Sequence, residues 1–371
     1  MTASFLPPVR MLMGPGPSDV PQRVLDAMAR PTIGHLDPAF VELMEQIKSM
    51  LRMAFRTGNA LTFPVSAPGS AGMEMCFVNL VEPGDKVVVC RNGVFGGRML
   101  ENVTRIGGVP VIVDDAWGKP VDPDKVRDAF KANPDAKLLA FVHAETSTGA
   151  QSDAATLARI AQEHGALTIM DCVTSLGGTP VLLDEWGIDA AYSGSQKCLS
   201  CTPGLSPVSF SERAIEKLRR RKTPVQSWFL DLNLVLGYWQ AAAKRTYHHT
   251  APINPMYGLH EALVMVEEEG LENAWHRHRA MHEKLAAGFE ALGLHYVVDA
   301  AARLPQLNSI HVPAGVDEAA IRTRLLTEFG LEIGAGLGDM AGKIWRIGLM
   351  GHSAQPDKVD RCLAALRACL A

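Results

Sequence analysis

The chain has 371 residues, of which 47% are hydrophobic, and it carries 36 Lys and Arg against 40 Asp and Glu residues. This length and composition predict a large buried core and exclude a mainly disordered chain. The net charge of −4 argues against the broad basic surface that sequence-independent nucleic-acid binding needs. No apolar run reaches the roughly 18 residues of a membrane span, and prolines interrupt the N-terminus where a signal peptide needs an apolar segment. We therefore expect a cytoplasmic protein with no membrane or nucleic-acid partner.

Short apolar runs alternate with helical patterns along the first two thirds of the chain, which is typical of an α/β protein with a largely parallel sheet. In chain order, strands are predicted at 86–90, 109–115, 137–145, 166–171, 188–194 and 205–211. One intervening helix follows Asp153 and stops at Gly165. The strand at 166–171 is almost wholly apolar, as expected when both faces of a sheet are covered.

The pattern changes near residue 257, where one long helix is predicted through residue 293. Strands and helices then alternate at 307–315, 318–330, 331–336, 343–351 and 356–370. This section is long enough for a second, smaller α+β domain. The expected organisation is an N-terminal arm at 1–20, a large domain at 21–269 and a small C-terminal domain at 270–371.

The stretch from Asp171 to Lys197 carries the strongest chemical signal. Asp171 ends an apolar strand, at the edge where α/β sheets bind ligands. Lys197 lies in a loop of small residues, where an amine can lose its charge and act as a nucleophile. Pyridoxal phosphate needs such a pair, one lysine to bind its aldehyde and one carboxylate to keep its ring nitrogen protonated. From these residues alone, a surface lysine and a helix-capping aspartate are the alternative.

Motifs along nearly the whole chain are similar, in kind and order, to those of the class V, fold type I aminotransferases, which use pyridoxal phosphate. The resemblance is closest to the alanine–glyoxylate and serine–glyoxylate group. The motifs are GPGPS (14–18), LTFPVS (61–66), LVEPGD (80–85), STGA (147–150), DCVTSLGGTP (171–180), YSGSQK (192–197), TYHHT (246–250), GLENAW (270–275) and WRIGLMG (345–351). The resemblance implies a large cofactor-binding domain with a mostly parallel sheet and a smaller α+β C-terminal domain.

The resemblance assigns the residues around the cofactor's ring. Lys197 would bind the cofactor covalently, and Asp171 would pair with the ring nitrogen. Val173 would pack on one face of the ring and Phe95 would stack on the other, at a position where the alanine–glyoxylate enzymes usually have tryptophan. Thr146 would lie near the ring oxygen, although a strand-end cap is an equal alternative.

The phosphate of the cofactor needs N–H and hydroxyl donors at a helix start, which Gly69 and Ser70 supply. Gln196 is a further side-chain donor. The alanine–glyoxylate pattern often has histidine where Ser70 stands, and the serine–glyoxylate branch has threonine. Tyr247 and Thr250 match residues that reach the neighbouring subunit's phosphate in this family, so the resemblance implies a homodimer.

The substrate carboxylate is expected to bind Arg346, whose guanidinium can form two parallel hydrogen bonds with it. The alternative for Arg346 is an edge-strand charge. Gly16 would let the arm pass close to the substrate, and His35 would line the same opening unless it is a structural histidine. No metal is expected, because the adjacent His248 and His249 point to different sides of an extended chain.

The expected activity is transfer of the amino group of a small L-amino acid, alanine or serine, to glyoxylate, giving glycine and a 2-keto acid. The alternatives within the family are ureidoglycine–, aspartate– or pyruvate-linked transamination. A cysteine desulfurase is disfavoured, because Cys362 and Cys369 fall in a helical pattern rather than in a flexible loop. The sequence does not fix the donor or the acceptor.

Overall fold

The computed structural model describes residues 2–239 and 245–371. Its strands are β1 (Met11–Leu12), β2 (Leu61–Val65), β3 (Lys86–Arg91), β4 (Val109–Asp114), β5 (Leu138–Val142), β6 (Ala144–Glu145), β7 (Ala150–Gln151), β8 (Leu167–Asp171), β9 (Ala190–Tyr192), β10 (Ser206–Phe210), β11 (Leu307–His311), β12 (Leu331–Glu332), β13 (Gly334–Ala335) and β14 (Ile344–Gly348). Its α-helices are α1 (Gln22–Met28), α2 (Pro38–Phe55), α3 (Gly69–Leu80), α4 (Val94–Arg105), α5 (Pro123–Ala132), α6 (Ala154–Glu163), α7 (Leu183–Trp186), α8 (Glu212–Arg219), α9 (Leu232–Trp239), α10 (Ile253–Glu269), α11 (Leu271–Ala291), α12 (Glu318–Phe329) and α13 (Pro356–Leu370). Within these residues no helix is both long and apolar enough to span a bilayer.

A seven-stranded sheet forms the centre of the large domain, in the order β2-β10-β9-β8-β5-β3-β4. The strand β10 is antiparallel to both of its neighbours, and the other pairs are parallel. Every residue of β5 and β8 is buried, because side chains on both faces of the sheet are covered. The predicted α/β fold with a mostly parallel sheet is confirmed.

The parallel strands β3, β5 and β8 end at the same edge of this sheet, so the loops that follow them lie close together. The loop after β3 leads into α4, the loop after β5 leads into the short hairpin of β6 and β7, and the loop after β8 begins at Cys172. The N–H of His143 donates to the carbonyl of Asp171 at 2.9 Å, which joins two of these loops directly.

A second hydrophobic cluster forms the core of the smaller C-terminal α+β domain, which is also confirmed. Its buried residues come from 285–369 and, from the N-terminal arm, Met11 and Met13. The strands β11, β14 and β13 form an antiparallel sheet, and β1 pairs in parallel with β12. The arm is therefore part of the same packed core as the C-terminal domain.

The prediction of one continuous helix over 257–293 is wrong. The helix α10 ends at Glu269 and α11 begins at Leu271, because Gly270 between them has a φ of +80°, outside the range of a right-handed helix. The guanidinium of Arg277 on α11 binds the carboxylate of Glu269 at 2.5 and 2.8 Å. This ion pair joins the two helices across the break.

The interior of the central sheet gives a direct test of the packing. Phe141 in β5 is fully buried, and its truncation in Phe141→Ala leaves a cavity that should lower the free energy of unfolding by about 3–5 kcal/mol. Thermal or denaturant unfolding measures this loss. The control Val109→Ala, on the edge strand β4 where Val109 is 45% exposed, should change the free energy of unfolding by less than about 0.5 kcal/mol. Equal losses for the two variants would contradict the packing described.

Candidate active site

A cavity of 200 Å³ lies at the edge of the sheet where β3, β5 and β8 end. Residues from the start of α3, from α4, from the end of β8 and from the loop after β9 share its wall. They are Pro68, Gly69, Ser70, Met73, Phe95, Arg98, Asp171, Val173, Tyr192, Gln196 and Lys197. Seven residues predicted from the sequence, which are Gly69, Ser70, Phe95, Asp171, Val173, Gln196 and Lys197, are thus brought together.

The amine of Lys197 is buried in this cavity, with 9% of the residue exposed. Its Nζ donates a hydrogen bond to the carbonyl of Pro15 in the N-terminal arm. Burial, and to a smaller extent the nearby guanidinium of Arg346, lower the pKa of Lys197 to about 8. An amine with this pKa is partly unprotonated near neutral pH, as a nucleophile must be.

The carboxylate of Asp171 is fully enclosed at the end of β8. Its Oδ1 accepts the N–H of Val173, and its Oδ2 accepts the hydroxyl of Tyr192, both at 2.8 Å. Burial raises the pKa of Asp171 to about 7, although both hydrogen bonds act to lower it. A cation beside this carboxylate would lower its pKa again, so the site favours a positively charged group.

Tyr192 is a residue of the cavity that was not predicted from the sequence. Tyr192 ends the neighbouring strand β9 and is paired in register with Asp171, which places the two side chains next to each other. Its phenol is buried, and the hydrogen bond that it donates to Asp171 gives the hydroxyl the partner that a buried polar group needs. In the sequence, the only indication of this role is a polar aromatic residue at the end of an apolar strand.

The N-terminus of α3 supplies an anion site at one side of the cavity. The helix begins at Gly69, and the preceding Pro68 provides no side-chain cap. The N–H groups of Gly69 and Ser70 have no partner among the described residues, so they can bind a ligand. A Cβ on Gly69 would lie 3.3 Å from the carbonyl of Ser193, so a larger residue is disfavoured here. The buried Oε1 of Gln196 has no hydrogen-bond partner among the described residues.

The helix α4 contributes an aromatic ring and a guanidinium to the wall of the cavity. Phe95 is the second residue of α4, and the guanidinium of Arg98, one turn later, lies 4.9 Å from the centre of its ring. The sequence analysis missed Arg98, which had no motif to mark it. Val173 lines the same cavity from the loop after β8.

Arg346 approaches Lys197 from the C-terminal domain. It lies in β14, the central strand of its sheet, so the alternative of an edge-strand charge is wrong. Its side chain donates to the carbonyl of Ala335 at 2.7 Å and to that of Thr146 at 3.0 Å, and to no carboxylate in the part of the chain that is described. Burial lowers the pKa of Arg346 to about 10. The buried hydroxyl of Thr146 bonds that of Thr174.

The N-terminal arm crosses the loop that carries the lysine. Gly16 has a φ of +106°, and a Cβ there would lie 2.7 Å from Cδ of Lys197. The hydroxyl of Ser18 donates to the carbonyl of Lys197 at 2.7 Å, and the N–H of Ser18 donates to that of Gln196 at 3.0 Å. Gly16 is therefore required both by its backbone conformation and by its closeness to the amine.

Six predicted residues do not line this cavity: Gly16, Thr146 and Arg346, whose contacts are given above, and His35, Tyr247 and Thr250. The ring of His35 lies 5.3 Å from that of Tyr247, which is 65% exposed. The hydroxyls of Tyr247 and Thr250 are 3.4 Å apart. His35 as a substrate residue, and Tyr247 and Thr250 as residues of a neighbouring site, stay predictions.

The donor set fits pyridoxal phosphate. The buried amine of Lys197 suits its aldehyde, the carboxylate of Asp171 suits its protonated ring nitrogen, and the start of α3 suits its phosphate. The unpartnered Oε1 of Gln196 is an acceptor, and the Nε2 of the same amide can donate to a phosphate. Phe95 and Val173 offer apolar surfaces for a planar ring.

Comparison with known proteins shows likeness along the whole chain. A family model described as aminotransferase class-V matches residues 10–344. The chain is 40% identical to an alanine–glyoxylate aminotransferase of Oryctolagus cuniculus, over 98% of this chain and 93% of that protein. It is 37% identical to a (S)-ureidoglycine–glyoxylate transaminase of Bacillus subtilis (strain 168), over 98% and 91% of the two chains. The crystal structure of an alanine–glyoxylate aminotransferase from Nostoc sp. matches with a TM-score of 0.98 and 45% identity, over 100% of this chain and 98% of that one.

The raised pKa of Asp171 predicts how stability depends on pH in the cofactor-free protein. The folded protein holds this proton up to about pH 7, whereas an ordinary aspartic acid loses it near 3.8, so ionisation costs stability as the pH rises between these values. Asp171→Asn does not ionise. Its free energy of unfolding, relative to the unsubstituted protein, should rise from about pH 4 to pH 7 by up to roughly 4 kcal/mol.

Denaturant unfolding at a series of pH values measures this difference. Asp128→Asn, at an exposed position on α5, is the control and should show no such trend. A difference for Asp171→Asn that is flat across the same range would contradict the burial of an ionisable carboxylate at this position.

Proposed function

The chain belongs to the class-V aminotransferases, and we propose that it binds pyridoxal phosphate and transfers the amino group of alanine or serine to glyoxylate, giving glycine and a 2-keto acid. The observation that carries this proposal is the pair of Lys197 and Asp171 in one buried cavity, with the pKa of the amine lowered and that of the carboxyl raised. The named relatives from Oryctolagus cuniculus and Nostoc sp. support glyoxylate as the acceptor.

When bound, pyridoxal phosphate supplies a protonated ring that accepts the electron pair released at the substrate's Cα. Asp171 keeps the proton on the ring nitrogen, because its buried carboxylate gains a cationic partner there. With the cofactor bound, Nζ of Lys197 would take the proton from the substrate's Cα. The backbone N–H groups at Gly69 and Ser70 and the side-chain amide N–H of Gln196 would hold the phosphate.

Arg346 binds the substrate carboxylate and so fixes which Cα bond is broken. Its guanidinium is held by two carbonyl groups, and its positive charge lowers the pKa of Lys197. A carboxylate bound to this guanidinium therefore lies beside the amine of Lys197. Pro15 and Gly16 close the same region and limit access of water. One carboxylate receptor and a closely packed arm favour short donors.

Ureidoglycine is the second candidate donor. Its support is the 37% identity to the Bacillus subtilis relative, whose name pairs ureidoglycine with glyoxylate. Incubating the cofactor-loaded protein separately with alanine, serine, aspartate and ureidoglycine, and following conversion of the bound cofactor to its amine form by absorbance, ranks these donors.

We further propose a homodimer in which Tyr247 and Thr250 reach the phosphate bound by the partner subunit. The support is that both residues lie outside their own chain's cavity and that 65% of Tyr247 is exposed. A phenol and a hydroxyl are suitable phosphate donors. Each active site would then need residues from two chains.

Loss of the lysine tests the catalytic assignment. Lys197→Ala should abolish the visible absorption of lysine-bound cofactor and lower kcat for alanine–glyoxylate transamination by at least about 10³-fold, because nucleophile and proton carrier are both removed. Lys119→Ala, at an exposed salt bridge, is the control and should keep both signals. Normal turnover by Lys197→Ala would contradict the assignment.

A mixed dimer tests the shared site. Lys197→Ala chains and chains carrying Tyr247→Ala with Thr250→Ala are each expected to be weakly active. The two kinds of chain are mixed in equal amounts, denatured and refolded together. Random pairing should then restore about a quarter of the sites. The restored sites have an intact lysine from one chain and intact Tyr247 and Thr250 from the other. No gain of activity on mixing would show that the two residues serve their own chain.

A further inference from the structure

A buried carboxylate without a role in the proposed reaction lies beside the site. Glu145 ends β6 and has no exposed surface. Its Oε1 accepts the N–H of Ser147 at 3.0 Å and the hydroxyl of Ser147 at 2.5 Å. That hydroxyl in turn accepts the N–H of Val94, the first residue of α4, at 3.0 Å. A chain of hydrogen bonds thus runs from Glu145 to the start of the helix that carries Phe95.

The start of α4 has no cap of its own. Gly93 precedes the helix and has no side chain to accept its first N–H groups. Burial raises the pKa of Glu145, while the two donors of Ser147 act to lower it. The carboxylate reaches the first N–H group of α4 through the hydroxyl of Ser147. Its second oxygen, Oε2, is buried without a hydrogen-bond partner among the described residues, and an anion at this helix N-terminus is favoured by the helix dipole.

The close approach of the two segments leaves no room at position 93. A Cβ on Gly93 would lie 2.5 Å from Cγ of Glu145 and 2.5 Å from the hydroxyl of Ser147. Both contacts are far inside van der Waals distance, so the glycine lets the helix start pack directly on the carboxylate. The first turn of α4, and with it Phe95, is located by this contact.

The segment that contains Glu145 also contacts other groups of the site. The carbonyl of Thr146, next to Glu145 in the chain, accepts a hydrogen bond from Arg346. The negative charge of Glu145 also acts on its surroundings, since it raises the pKa of Arg346 and that of Asp171. A change at Glu145 is therefore expected to affect the charged groups of the site as well as the start of α4.

We propose that Glu145 is a positioning residue, whose buried carboxylate holds the first turn of α4 and thereby sets Phe95 against the cofactor ring. This inference rests on the proposed function, because it takes Phe95 as the stacking residue. A glutamine at this position keeps the shape but removes the negative charge at the start of α4 and replaces the unpartnered Oε2 with an amide donor, so it weakens the interaction with little change in volume.

Two readouts test the proposal on the cofactor-loaded protein. In Glu145→Gln, hydrogen exchange of the backbone amides at 95–97 should be faster, and the dissociation constant for pyridoxal phosphate should rise about tenfold. The matched control is Glu101→Gln, which changes an exposed carboxylate on the same helix that pairs with Arg105, and it should alter neither readout. Ser147→Ala breaks the same chain of hydrogen bonds without removing the charge and should shift both readouts in the same direction.

A double-substitution cycle separates positioning from general destabilisation. If Glu145 acts through Phe95, Phe95→Leu alone should weaken cofactor binding about tenfold, and adding Glu145→Gln should weaken it little further. Additive effects, or a lowered Tm with an unchanged dissociation constant, would overturn the proposal. If Glu145→Gln does not fold, Ser147→Ala decides by the same criteria.

Cofactor binding by the unsubstituted protein tests the proposed function separately from the role of Glu145. Failure of the unsubstituted protein to bind pyridoxal phosphate would overturn the proposed function, and the role of Glu145 toward the cofactor with it. Tight binding by the unsubstituted protein and equally tight binding by Glu145→Gln would overturn only the inference about Glu145.

Discussion

The buried carboxylate of Asp171 is the constraint on which the site depends. It lies at the end of an apolar strand, where burial raises its pKa to about 7 although Val173 and Tyr192 both donate to it. Two neutral donors stabilise a buried anion less than a cation does. The position is therefore poorly suited to a structural carboxylate and well suited to one that keeps a ligand nitrogen protonated. The lowered pKa of Lys197 in the same cavity is the complementary half of this arrangement.

The topology of the fold brings the remaining groups to this carboxylate. Parallel strands end at one edge, so the segments after β3 and β8 bring Phe95 and Val173 to one cavity. The segment after β5 carries Thr146, whose hydroxyl bonds that of Thr174 beside Val173. The C-terminal domain adds Arg346, which donates to the carbonyl of Thr146. The arm packs Met11 and Met13 into the core of that domain and then binds the lysine loop through Ser18. The site thus depends on contacts among all three parts of the chain.

The sequence predicted most of the fold and seven residues of the cavity wall, because apolar periodicity and local motifs report on single strands and loops. It missed Tyr192, whose role depends on register with a strand distant in sequence, and Arg98, whose position depends on how α4 faces the cavity. It also missed the break at Gly270, because the apolar pattern continues on both sides of this residue. Only the backbone conformation, with a φ of +80°, shows that the helix ends there. Such features follow from tertiary packing, which no local pattern encodes.

The central claim is that Asp171 keeps a positive charge on the bound cofactor. Nuclear magnetic resonance of the protein loaded with pyridoxal phosphate labelled with ¹⁵N in its ring tests this most directly, because the chemical shift of the nitrogen reports its protonation. The account predicts a protonated ring nitrogen at neutral pH in the unsubstituted protein and an unprotonated one in Asp171→Asn. The same nitrogen signal in both proteins, or an unprotonated nitrogen beside an intact Asp171, would contradict it.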